Sequence, residues 1–190
     1  MVHTDQDITR AERDLAKGYL QQTRDGVVQA VGGFTEPQWD FRRAEDEWSS
    51  AEIVEHLAMV EAYFCGTVAE RLRVAQATGL EETPQLPAER VVDIATDLSE
   101  RWVAPQVIRP TGAWKGGVAI QHFVERCGGL AEFLETSDML HGRTSRHPRM
   151  GEMDGYRWIL FIAAHRERHR RHIEQIKADP RFPSTAQATN

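Results

Sequence analysis

The chain has 190 residues, 41% hydrophobic and 27% charged, which suits one soluble domain with a single core of its own. Its 29 acidic and 23 basic side chains give a formal net charge of -6, which argues against nucleic acid and anionic lipid as partners and favours small molecules or proteins. Two cysteines make no disulfide framework, and neither a signal-peptide plan nor a membrane-length apolar run is present, so a cytoplasmic home is expected.

From about Asp5 to Val31, Ile8, Ala11, Leu15, Tyr19, Val27 and Val31 predict an amphipathic helix stopped by Gly32-Gly33. Thr35 before Pro37 starts at most one further turn, which lays Trp39 and Phe41 on the body. Ser49-Ser-Ala-Glu52 is a capping box, with Trp48 and Ile53 as its hydrophobic staple. A second long helix therefore starts at Ser49, and Ile53, Leu57, Val60, Phe64, Val68 and Leu72 carry it to roughly Ala77. Residues 88–104 read as a shorter helix, after which Pro105, Pro110 and Gly112 impose an irregular crossing. So long a connection lets the helices on either side of it run parallel. The third major helix spans about Gly117 to Thr136, with Ala119, Phe123, Cys127, Leu130 and Leu134 as its inner stripe. Ser137 to Glu152 reads as a loop without strand alternation, and Asp154 caps the fourth helix. The segment 179–190, proline-bearing and small, reads as a disordered tail after a 1–178 domain.

The fourth helix carries the most informative stripe. Trp158, Phe161, Ile162, His165, His169, Ile173 and Ile176 recur at steps of three or four, so two imidazoles point where the apolar groups point. His56 lies in the same way on the second helix, beside Met59, Val60 and Tyr63. A lone histidine on an apolar stripe is ordinarily a hydrogen-bonded core residue. Three that converge can instead share one cation, since neutral imidazole ligates zinc, nickel, iron or copper and three protein ligands leave a position open. Arg166 stands where a zincin motif would have its general base, so a metalloprotease is not expected. His172, three residues past His169, is a fourth ligand, a proton carrier or a plain half-exposed side chain. His122 reads as structural, and His147-Pro148 as a turn former. The arginines at 157, 166, 168, 170 and 171 read as a solvated outer face interleaved with Glu167 and Glu174, and both cysteines as small core residues.

The segments Glu47-Trp48-Ser49-Ser-Ala-Glu52-Ile-Val-Glu-His56-Leu, Pro148-Arg-Met-Gly151 and Trp158 through His172-Ile together resemble the DinB-like superfamily, which includes YfiT-like metal-dependent hydrolases and thiol-dependent transferases. The resemblance implies an all-α, four-helix up-down-down-up bundle with a long crossover between helices 2 and 3, and often a homodimer. It implies a divalent metal held by His56, His165 and His169, zinc or nickel first, with iron or manganese as alternatives. By the same resemblance the expected activity is thiol-dependent S-transfer or hydrolysis of a small electrophilic substrate, with a low-molecular-weight thiol as co-substrate; His172, by its place three residues past His169, is the catalytic candidate. A metal-containing bundle that binds a small ligand in stress response without turnover is the alternative. Members often carry Glu after the first histidine of the last helix and Gln at the position of His172; this chain has Arg166 and His172 there.

Overall fold

The structure, a computed structural model, describes residues 7–75 and 84–184. Helix α1 (Arg10–Ala30) opens on a capping box that the sequence reading passed over: Glu12 N–H donates to the Thr9 side chain, while the Thr9 N–H donates to the Glu12 carboxylate. The turn α2 (Glu36–Asp40) seats Trp39 against Gly116, where a Cβ would lie 2.0 Å from the indole, so only glycine lets the two segments touch. Helix α3 (Ser50–Tyr63) begins on the expected Ser49 box. Its run continues through a π-helical turn, Phe64–Val68, in which the Ala69 N–H bonds the Phe64 carbonyl five residues back, into α4 (Ala69–Val74). The expected end of this run near Ala77 lies outside the described residues.

Helix α5 (Ala88–Thr96) is shorter than the 88–104 span expected, because the chain turns extended at Asp97, whose carboxylate takes the Ser99 N–H. A 3-10 turn at Gln106–Ile108 follows, then α6 (Gly116–Thr136) and α7 (Gly155–Lys177). Between these two lies a hairpin, β1 (Thr144–His147) paired antiparallel with β2 (Gly151–Asp154), where a loop without strands was expected. Four residues per strand are too few for alternation to register. The signal that was there is the Pro148-to-Gly151 turn, with Gly151 at φ 75°.

The major helices form an up-down-down-up bundle, and cross-contacts fix each direction. Leu20 and Gly26 of α1 meet Arg166 and Arg170 of α7, so these two run parallel. Ala58 of α3 and Phe64 of the π-helical turn that continues it meet Arg126 and Phe133 of α6, again parallel, which the long crossover permits. Glu61 and His56 of α3 meet Arg166 and His169 of α7 in antiparallel order. The apolar interior falls into two lobes, one around Phe64, Leu130, Ile159 and Phe161, the other around Val27, Leu57, Phe123 and Ile173. At the level of residues 56–61 on α3 and 165–169 on α7, a layer of buried polar side chains lies between the lobes.

Two further departures concern charge and the C-terminus. Arg166 and Arg168 are buried rather than solvated, because α7 is packed by α1, α3 and α5 and has little outer face at that height; Arg170 and Arg171 do pair with Glu167 near the surface. The chain past Asp179 is tied down as far as the structure describes it. Phe182 packs on Phe34 and Phe41, and the Pro183 carbonyl accepts from Gln38. Residues 185–190 lie outside the described span.

At the base of α7, Asp154 accepts the Arg157 N–H as the expected cap and also holds His141, whose Nδ1 is 2.9 Å from Asp154 Oδ2 and whose Nε2 is 3.2 Å from Glu12 Oε1. Carboxylates have no proton to give, so both ring nitrogens donate and the imidazolium is the bound form. Its pKa is raised, first by the hydrogen bond to Asp154, against burial. A raised folded pKa means that the stabilisation is fully present below the unfolded value near 6.5 and is lost as pH climbs through the folded one. His141→Ala is therefore expected to destabilise more at pH 6 than at pH 9, read from denaturant midpoints; equal losses at both would refute the ionic clamp.

Candidate metal centre

The three stripe histidines meet in the polar layer. His56, His165 and His169 are 2%, 7% and 6% exposed, and each offers a nitrogen such that the three ligating atoms lie within 4.8 Å of one another. Ring centroids are 5.2 Å (His56 to His165), 4.9 Å (His56 to His169) and 4.5 Å (His165 to His169) apart. The spacing of four along α7 puts the Nε2 atoms of His165 and His169 3.2 Å apart. Zinc–imidazole bonds of roughly 2.0–2.1 Å place two donors of one tetrahedral ion about 3.3–3.4 Å apart, so this separation suits a shared cation.

Protonation also suits it. Burial pushes the His56 pKa down to about 4, against the backbone hydrogen bond that favours its charged form. His165 and His169 are held well below the usual imidazole value, first by burial and then by neighbouring positive groups, among them His56 and Arg168 for both. All three rings are therefore unprotonated near pH 7, the state in which imidazole ligates. His56 Nδ1 is 2.6 Å from the Ile108 carbonyl, which has only lone pairs, so Nδ1 donates and Nε2 keeps the free pair that turns into the cluster. The Nδ1 atoms of His165 and His169 are buried with no partner among the described residues. Packing orients those rings instead: Phe161 lies stacked on His165 at 5.8 Å and Trp48 on His169 at 6.3 Å.

Sequence reasoning missed the groups that steady this arrangement. Glu55, buried at the residue before His56, accepts from Thr111 N–H at 3.1 Å, Thr111 Oγ1 at 2.6 Å and Gly112 N–H at 2.9 Å. It thereby ties the crossover to α3 just past the Ile108 carbonyl. A glutamate inside an almost wholly buried helix was the available signal; a backbone carbonyl such as that of Ile108 leaves none. Beside the histidines, Arg166 Nε donates to Glu61 Oε1 at 2.7 Å and its Nη1 to the Leu20 carbonyl at 3.0 Å.

His172 lies outside the three-ring set, its centroid 5.3 Å from that of His169, and burial with the Arg168 and Arg43 charges lowers its pKa to about 4. His147 shapes its turn as expected and also approaches the cluster, packing on Phe161 at 4.5 Å. His122 is at the surface on Trp114, 4.4 Å away, and His3 is outside the described residues. Burial raises both thiols, Cys127 to about 12, so neither is a ready nucleophile.

Among known proteins, YuaE of Bacillus subtilis (strain 168), an uncharacterized protein, is 24% identical over 149 residues, 76% of this chain and 86% of its own. YfiT from Bacillus subtilis, described as "a probable metal-dependent hydrolase with an unusual four-helix bundle topology", superposes with a TM-score of 0.57 at 16% identity, covering 90% of this chain and 88% of that one. No helix among the described residues is long and apolar enough to cross a membrane. The family model of the DinB superfamily matches residues 19–173, a span that takes in His56, His165 and His169, and the chain belongs to that superfamily.

Proposed function

We propose that this protein is a divalent-metal-dependent enzyme acting on a small electrophilic substrate, by hydrolysis or by transfer of a low-molecular-weight thiol, with His56, His165 and His169 as ligands. The observation that carries the reading is the convergence of three buried, unprotonated imidazoles within 4.8 Å. The likeness to YfiT supports the hydrolase arm. A divalent ion bound there supplies Lewis acidity, which lowers the pKa of a neighbouring water or thiol. Three nitrogen donors favour zinc or nickel, with iron or manganese as alternatives.

The chain's own groups have separate tasks. Ile108 fixes the tautomer of His56, Glu55 holds the loop that presents Ile108, and Trp48 and Phe161 wall the imidazoles. His172, unprotonated at neutral pH beside His169, is the group we assign to accept a proton from the nucleophile. The reading includes a cytoplasmic homodimer. Low exposure of the three rings favours one competitor, a metal-containing bundle that binds a small ligand without turnover.

Metal analysis of the protein as purified is expected to give close to one ion per chain in the parent and far less in His56→Ala and His169→Ala. Content well below one in the parent, or unchanged in both variants, would sink the site. A cobalt-substituted sample whose visible spectrum does not respond to small thiols would favour the binding bundle over the thiol transferase.

A further inference from the structure

On the flank of the histidine cluster that faces the hairpin and the 97–102 segment, two hydrogen-bond donors have no acceptor. The first is Arg168, 3% exposed, whose Nη2 donates to the Glu100 carbonyl at 2.5 Å while its Nη1 is buried and unpartnered. Among the described residues no carboxylate is within ion-pair distance of Arg168, since Glu100 gives its own carboxylate to Arg149. The Arg149 and Arg168 guanidiniums both lie over Trp102, each 4.8 Å from the ring centroid, Arg149 paired with Glu100 and Arg168 facing the charges of Asp97 and Glu100 only from beyond ion-pair distance.

The second donor is His147. The backbone N–H groups of Arg149 and Met150 both point at its Nδ1, each at 3.2 Å. Nδ1 must therefore be the acceptor, and the neutral ring carries its proton on Nε2. No protein acceptor for that Nε2–H is present among the described residues. An aromatic chain links the two donors to the cluster: Trp102 lies parallel to Phe161 at 6.4 Å, His147 packs on Phe161 at 4.5 Å, and Phe161 is stacked on His165 at 5.8 Å.

Arg168 carries the argument, because an unmatched buried donor is unfavourable until an acceptor arrives and a charged one favours an anion; His147, half-buried, adds a donor that no protein group takes. We propose that Arg168 and His147 form an oxyanion-binding subsite, and that the substrate taken beside the histidine cluster carries a carboxylate or phosphate group. The word substrate rests on the metal-enzyme reading above; the subsite itself does not. Arg168 supplies the charge and His147 a directional neutral donor.

Acetate, inorganic phosphate and the neutral isostere acetamide, each titrated calorimetrically into the protein as purified in a chloride-free buffer, test this. Either anion should bind the parent while acetamide does not, and Arg168→Met and His147→Phe should each weaken the anion roughly tenfold or more, the weight of one charge-assisted hydrogen bond. Melting curves and metal content show that the variants remain folded and loaded, and His147→Gln, which keeps an N–H donor, should recover part of the loss. Nitrogen-15 spectra of the histidines should find His147 as the Nε2–H tautomer. Failure of both anions to bind the parent, acetamide binding equally well, or unchanged affinity in both variants overturns the subsite and leaves the metal reading standing. A parent without metal that still binds acetate through Arg168 has the opposite meaning.

Discussion

Glu61→Ala is expected to remove about 3–5 kcal/mol of folding stability, the usual result of leaving one member of a buried ion pair alone in the interior. Glu61 and Arg166 are 0% and 1% exposed. Burial alone would lower the Arg166 pKa, and the Glu61 carboxylate outweighs it and pushes it up. In a domain of this size the loss corresponds to a fall in melting temperature on the order of 10 °C. The double variant Glu61→Leu with Arg166→Met should recover much of it, because two apolar groups of similar volume need no partner. Thermal melts of the two variants decide the matter; a Glu61→Ala variant within about 1 kcal/mol of the parent would mean that water reaches the pair.

Glu55→Ala should have the largest effect on metal binding of any change outside the three proposed ligands. It frees the Thr111 and Gly112 amides and the Thr111 hydroxyl from the carboxylate, and the loop that carries the Ile108 carbonyl loses its anchor. His56 then has nothing to hold its tautomer, and groups that orient a ligand in this way typically contribute 10- to 100-fold in metal affinity. Competition with a chromophoric chelator measures the shift. Glu55→Gln, which still accepts through its amide oxygen, should fall between parent and alanine; an alanine variant with parental affinity would show that packing alone sets the His56 ring.

The sequence carried the long-range part of this centre because three histidines on apolar stripes are a periodic signal, and periodicity survives folding. It also carried the start of α3, where Ser49 and Glu52 write their own hydrogen bonds, and the start of α7, where Asp154 does the same. What it withheld depends on neighbours distant in the chain. Arg166 looks solvated beside Arg168 and Glu167, and only its encounter with Glu61, 105 residues away, makes it a core residue. The His147 tautomer and the Ile108 acceptor are set by backbone atoms, which every sequence shares. The hairpin was lost to brevity.

The parallel pairing of α1 with α7, and of α3 with α6, also bears on biosynthesis. One of the three imidazoles is at residue 56 and the other two are at 165 and 169, on the last helix of the bundle. A ribosome delivers α1, α3 and α6 first, and a chain interrupted before α7 holds one third of the cluster and an unmatched Glu61. The donor set therefore comes into being only once α7 has followed the three helices before it. A fragment that stops short of α7 lacks two of the three imidazoles and leaves Glu61 without the guanidinium it pairs with.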